Sequence, residues 1–200
     1  AKTEFPQYAN CISMALTPMV FTGRMIKKAD PGCKVAFIGP CAAKKLEAMR
    51  KSVRSEVDFV LTFEEMMGIF EAKDIDVASL TEEVEGINDA SEDGRNFAVS
   101  GGVAQSVVNV IQERYPEREI KIANAEGLRD CRKLLMMAKA GKYNGYLLEG
   151  MGCPGGCVAG AGTMQSIKKS QNAVKKYAAQ ANHKNSNETE YVKELNKLVD

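Results

Sequence analysis

Two cysteines stand four apart in the stretch from Glu149 to Thr163, which reads Glu-Gly-Met-Gly-Cys-Pro-Gly-Gly-Cys-Val-Ala-Gly-Ala-Gly-Thr. Glycine is too dense there for ordinary side-chain packing. Without a Cβ it lets backbone approach a bulky ligand and adopt conformations that other residues resist. If the segment is helical, Cys153 and Cys157 point the same way. The pair reads as a cradle presenting two thiolates to one object; the bland alternative is a buried glycine-rich turn with two inert cysteines. A third cysteine, Cys41, follows the apolar run Val35-Ala36-Phe37-Ile38 and the turn Gly39-Pro40. Ala42 to Met49 then has helical character, which puts Cys41 near a helix N-terminus, where the local dipole favours a thiolate.

Three soft thiolates suit an iron–sulfur cluster or zinc. Zinc sites use compact Cys-x-x-Cys knuckles, and the sequence has none. Ligands spread along the chain beside glycine-rich backbone favour the cluster. The lone His183 lies in a polar stretch and is expected in solvent, not on a metal. Cys11, Cys33 and Cys131 are expected to be small buried residues.

The elements that must position these cysteines alternate in type. Strands are expected at Val35–Ile38, Asp58–Leu61, Phe97–Val99, Ile120–Ala123 and Tyr143–Leu148, each a short apolar run between turn signals. Helices are expected from Pro18 to about Lys28 with Thr17 as cap, over Ala42–Met49, and from the capping box Thr62-Phe63-Glu64-Glu65 to about Ala72. Further helices are expected over Val103–Arg114, Leu128–Lys139, from Thr163 to about Gln180 as a basic amphipathic segment, and over Glu188–Leu198. The acidic Thr81–Asp93 reads as a short helix and a loop. The pattern predicts an α/β fold, a mostly parallel sheet flanked by helices with a C-terminal helical segment. Parallel strands bring their C-terminal ends to one edge, so Cys41 and the pair Cys153 and Cys157 are candidates to converge.

Composition narrows the function classes. The 200 residues carry 27 Lys and Arg against 26 Asp and Glu, a net charge of +1. That balance gives no reason to expect nucleic acid or an anionic membrane as partner. No apolar run is long enough to cross a bilayer, and no secretory leader opens the chain, so a cytoplasmic location is expected. Six cysteines are too few for a disulfide scaffold.

The cysteine motifs together resemble the catalytic domain of the iron-only hydrogenases. That family has a second signature of the form (Met/Gly)-Pro-Cys-x-x-Lys-(Lys)-x-Glu, matched by Gly39 to Glu47. Its third, Glu-x-Met-x-Cys-x-Gly-Gly-Cys-x-x-Gly-x-Gly, is matched by Glu149 to Gly162. Val57 to Thr62, Ser100 to Val103 and Gly127 to Leu135 also resemble intervening segments. The family's first signature, Thr-Ser-Cys-Cys-Pro, does not occur, and the sequence reads as a piece of a divergent subgroup that starts after it. Residues 1–163 then form the hydrogenase-like part and 164–200 a helical extension.

The resemblance implies reversible reduction of protons to dihydrogen at an H-cluster, a [4Fe-4S] cluster linked to a two-iron centre. It implies Cys41, Cys153 and Cys157 as ligands of the [4Fe-4S] part, with the Cys157 sulfur bridging to the two irons. Lys44 would donate a charged hydrogen bond to a cyanide ligand, and Met151 would pack beside the two-iron centre. Pro40, Ala42 and the backbone of Gly155 and Gly156 would wall the site, and Ser13 matches a serine of the family's proton path. Implied partners are a ferredoxin or ferredoxin-like domain and maturation proteins. With three of four thiolates, the 200 residues are expected to hold no complete cofactor and to be inactive alone. An iron–sulfur assembly protein like the prelamin-A-recognition-factor group, or a cluster-binding redox sensor, is the alternative.

Overall fold

The computed structural model describes residues 2–80 and 89–192. They fall into two compact units: residues 2–80 with Gly160–Met164, and residues 89–159 with 165–192. Each unit holds its own two-stranded parallel sheet flanked by helices. The expected α/β class with parallel strands is therefore what the chain adopts, its strands divided between two sheets.

In the first unit the order is α1 (Pro18–Ala29), β1 (Ala36–Ile38), α2 (Ala43–Met49), β2 (Phe59–Leu61) and α3 (Phe63–Ala72). Strands β1 and β2 pair in parallel with Ala36 opposite Phe59 and Ile38 opposite Leu61. A parallel pair needs a crossover, and α2 supplies it. Met19 and Val20 of α1 and Val35 before β1 are buried as the small core of this unit. Thr62 caps α3 as expected: its hydroxyl accepts from Glu65 N–H at 3.2 Å, and the Glu65 carboxylate accepts from Thr62 N–H at 2.8 Å. Thr17 stands at the cap position of α1, but its side chain does not cap it. The hydroxyl instead donates to Glu47 on α2, 2.7 Å away, a stronger charge-assisted bond.

Asp58 ties α1 to the sheet. Its carboxylate accepts from Val35 N–H at 2.8 Å and pairs with Lys27 at 2.9 Å and Lys34 at 3.3 Å. The Val35 N–H, then the Lys27 ammonium, hold the carboxyl well below the usual carboxylate range. A depressed folded pKa stabilises above the unfolded value, and that contribution drains away as pH falls toward the folded value. Urea midpoints of the native chain and of Asp58→Asn should therefore differ most above about pH 4, and the difference should shrink steadily as the pH falls below that.

In the second unit the order is α4 (Glu92–Asn96), α5 (Gly102–Arg114), β3 (Lys121–Glu126), α6 (Gly127–Lys139), β4 (Tyr146–Met151) and α7 (Ile167–Ala178). Strands β3 and β4 pair in parallel over six residues, from Lys121 opposite Tyr146 to Glu126 opposite Met151. Val99, Ala104, Val108, Leu134, Val158 and Ala178 make the core. In α5 Ala104 and Val108, one turn apart, are buried on one side and Ser106 on the opposite side, while Val107 is 40% exposed. Arg95 is buried across the α4–α7 contact: its guanidinium lies 4.1 Å from the centroid of the Tyr177 ring and donates to the Tyr177 and Ala90 carbonyls at 2.8 and 3.0 Å.

Three expectations are corrected. Phe97–Val99 is not a strand but the turn joining α4 to α5, closed by Gly102 N–H donating to Val99 C=O at 3.0 Å. Gly101, at φ +86°, carries the chain into α5. Cys11 is exposed rather than buried, and Cys33 and Cys131 are half-buried. His183 is half-buried, with its carbonyl accepting from Glu92 N–H at 2.8 Å. Of the expected Thr81–Asp93 segment, residues 81–88 lie outside the described residues, and α4 begins at Glu92. Of the expected Glu188–Leu198 helix, residues 193–198 lie outside them too. Ser186–Glu188 is a 3-10 turn.

Candidate iron–sulfur site

The third motif begins inside β4. Glu149, Gly150 and Met151 are its last three residues, and the chain then turns through Cys153-Pro154-Gly155-Gly156 into the 3-10 turn Cys157–Ala159. Gly156 N–H donates to Cys153 C=O at 3.1 Å, so the two cysteines sit on either side of a closed turn. Gly155 and Gly156 have φ of +92° and +96°, the left-handed region that favours glycine. A Cβ on Gly156 would lie 2.5 Å from Ser100 N and 2.7 Å from Ala98 O, and one on Gly155 2.5 Å from Ile167 Cγ2. The glycines are required by backbone and by α7, and both are buried.

Around this turn the second unit spends its polar groups with care. Val158 N–H donates to Ala98 C=O at 3.0 Å, and Ser100 N–H to Gly155 C=O at 3.3 Å. This is why Phe97–Val99 is no strand: its turn holds the cysteine loop. Glu149 is 8% exposed, and its carboxylate accepts from Gly101 N–H at 2.6 Å and Ala104 N–H at 2.7 Å. It thereby caps α5 from the neighbouring strand, neutralising donors that a helix start leaves open. Cys131 of α6 lies against Gly150, where a Cβ would stand 3.1 Å from its Sγ. Its thiol donates weakly to the Ala125 and Met151 carbonyls, at 3.5 Å each, and burial pushes its pKa up. It is packed as a neutral thiol under the strand end that leads to Cys153.

The second motif lies in the first unit. Cys41, half-buried, precedes α2, and its carbonyl accepts from Lys44 N–H at 3.3 Å. The Lys44 ammonium pairs with the Glu47 carboxylate one turn on, and Thr17 donates to the same carboxylate. Pro40 C=O accepts from Gly162 N–H at 2.9 Å, and Gly162 C=O accepts from Glu64 N–H at 3.3 Å. The last glycine of the third motif is thus bonded beside the second. A Cβ on Gly162 would stand 2.3 Å from Thr62 Cβ. Ala42 is the exposed cap residue of α2. Ser13 is exposed, and its hydroxyl accepts from Ala15 N–H at 3.2 Å. Met151 is half-buried at the end of β4.

None of the six cysteines is in a disulfide. Among the described residues no three His, Cys, Asp or Glu are gathered as they would be round a single metal ion. A cubane cluster asks something different, one thiolate for each iron, and cysteine thiolates such as those of Cys153 and Cys157 are the donors it takes. The tight glycine turn suits it as well, since Gly155 and Gly156 place no side chains between the two cysteines. Sequence reasoning missed Glu149, Glu126 and Gln171, which hold the loop. Only Glu149 left a signal, as the first residue of the motif. No helix of the described residues is long and apolar enough to cross a membrane.

The family described as "Iron only hydrogenase large subunit, C-terminal domain" matches residues 1–161. The periplasmic Fe hydrogenase large subunit of Nitratidesulfovibrio vulgaris is 26% identical over 202 residues, covering 81% of this chain and 48% of that protein. The cytosolic Fe-S cluster assembly factor NAR1 of Kluyveromyces lactis is 32% identical over 113 residues, 52% of this chain and 24% of that protein. The chain thus spans about half the length, or less, of these relatives. Among solved structures, FeFe-hydrogenase HydA1 of Chlamydomonas reinhardtii matches with a TM-score of 0.75 at 18% identity, over 96% of this chain and 67% of that one. That likeness is one of fold. With its two cysteine motifs in place and the family match covering most of its length, the chain belongs to the iron-only hydrogenase large subunit family, in its C-terminal domain.

Proposed function

We propose that this chain forms part of an iron-only hydrogenase that reversibly reduces protons to dihydrogen. The observation that carries the reading is the Cys153–Cys157 turn, whose two glycines are demanded by geometry. Residues 1–163 carry the cysteine motifs, and α7 after them supplies Gln171 and Ile167 against the cysteine turn. Cys41, Cys153 and Cys157 would hold the [4Fe-4S] part of the cofactor as thiolate ligands. When bound, the H-cluster supplies the redox chemistry, and the protein supplies ligation, orientation and exclusion of water.

The chain's own residues have definable parts. Glu47, itself held by Thr17, fixes the Lys44 ammonium. An ammonium has three donors, so this pair orients Lys44 while leaving N–H groups for an anionic ligand. Met151 offers a flexible thioether as an apolar wall, and Pro40 and Ala42 complete the other side. Ser13 accepts a local backbone bond and keeps its hydroxyl proton for transfer. Electron partners are ferredoxin-type proteins, and maturation proteins install the two irons.

The test is to produce the whole encoded protein together with hydrogenase maturation proteins. Infrared bands of bound carbon monoxide and cyanide, with hydrogen evolution, are expected. Cys41→Ser, Cys153→Ser and Cys157→Ser should each abolish both. The 200 residues alone should evolve no hydrogen. Iron and sulfide bound by the whole protein without those infrared bands would sink the hydrogenase reading.

That last result would favour a second reading, an iron–sulfur assembly role. The similarity to the NAR1 assembly factor, 32% identical, speaks for it. So does the resemblance to the nuclear prelamin A recognition factor of Xenopus laevis, 26% identical over 167 residues.

A further inference from the structure

Glu126 and Gln171 grip one residue, Gly155, from opposite sides of its backbone. The Glu126 carboxylate, at the end of β3, accepts from Gly155 N–H at 2.8 Å. The Gln171 amide, on α7, donates to Gly155 C=O at 3.1 Å. Gly155 is the centre of the turn between Cys153 and Cys157. Neither Glu126 nor Gln171 belongs to a cysteine motif; one lies before it in the chain and one after. The grip is tight on every side. Gly127, at φ +75°, follows Glu126, and a Cβ there would lie 3.8 Å from Pro154 Cγ. Ile167, one turn before Gln171, closes over Gly155 itself.

We propose that Glu126 and Gln171 are positioning residues that clamp Gly155 and thereby fix the two thiolates of Cys153 and Cys157 for cluster ligation. This rests on the cluster-binding reading above. The clamp also tunes the site electrostatically. A backbone N–H at the centre of a two-cysteine turn is a donor available to cluster sulfur, and hydrogen bonds to the sulfurs raise a cluster's potential. Glu126 consumes that donor and adds a negative charge next to the turn. Both effects disfavour adding an electron, so both lower the potential.

The clamp is tested on the whole encoded protein by anaerobic reconstitution with ferrous iron and sulfide. Iron and sulfide content, loss of the visible charge-transfer absorbance to a chelator, and the midpoint potential are compared for the native chain, Glu126→Ala, Glu126→Gln and Gln171→Ala. Far-UV circular dichroism checks each fold. Glu126→Ala and Gln171→Ala should lose the cluster about fivefold faster, the effect of one hydrogen bond near 1 kcal/mol. Glu126→Gln keeps an acceptor and should restore retention. Its potential should lie above that of the native chain and below that of Glu126→Ala, which frees the N–H as well. A purely structural role would not order the potentials in this way. If the native chain takes up a cluster and both alanine variants keep it at the native rate, the clamp is wrong and cluster binding stands. If the whole protein takes up no cluster, the cluster-binding reading falls and the clamp falls with it. Should Glu126→Ala fail to fold, the Glu126→Gln potential and the Gln171→Ala retention decide.

Discussion

Gly156→Ala should destabilise the second unit by on the order of 3 kcal/mol, combining a left-handed alanine with a forced backbone shift. The residue sits at φ +96°, and the new Cβ would stand 2.5 Å from Ser100 N and 2.7 Å from Ala98 O. Those are main-chain atoms, not the far ends of flexible side chains, so relief requires moving the 97–100 turn. That turn is bonded to the cysteine loop through Val158 N–H and Gly155 C=O. The substitution therefore strikes the two cysteines and the start of α5 together. Urea denaturation followed by far-UV circular dichroism measures it. Gly152→Ala is the matched control: nothing lies within 4 Å of its Cβ position, and its backbone is not left-handed. It should be neutral within about 0.5 kcal/mol. Equal stability of the two variants would refute the account of the turn.

Glu149→Ala should cost a comparable amount, about 3 kcal/mol, for a different reason. Its buried carboxylate takes the N–H groups of Gly101 and Ala104, and alanine leaves both donors without a partner at the first turn of α5. Unmade hydrogen bonds in a buried place cost more than made ones contribute. Glu149→Gln retains one acceptor but turns an amide N–H₂ toward a second donor, so about half the loss should return. The same denaturation series reads the effect, and hydrogen exchange of the Gly101 and Ala104 amides localises it. Protection of both amides in Glu149→Ala at the native level would show that the carboxylate does not hold the helix start.

Much of the fold is legible in the residues because the signals are local. Pro18 at a helix start, the Thr62–Glu65 capping box and the apolar run before Gly39 each act within a few residues, and the elements form where they point. Phe97-Ala98-Val99 shows the limit. Three apolar residues before Ser-Gly-Gly satisfy a strand pattern, yet their backbone bonds to the cysteine loop some sixty residues on, at Val158. Periodicity carries no information about that partner. Thr17 fails in the same way: a threonine before proline reads as a cap, and only Glu47, thirty residues away, shows where its hydroxyl goes.

The sequence by itself determined which residue types stand at which spacing. The cysteines at 41, 153 and 157, Lys44 and the glycines at 155 and 156 are read directly from it, and the chemistry proposed for them depends on type and spacing first. The tertiary structure alone decided what holds them. Glu149 caps a helix from the neighbouring strand, Glu126 and Gln171 close on Gly155, and Cys131 packs under Gly150. Each of these supports comes from another element of the second unit. A hydrogen bond or a contact distance depends on how elements pack, and the spacing of residues along one element does not encode it.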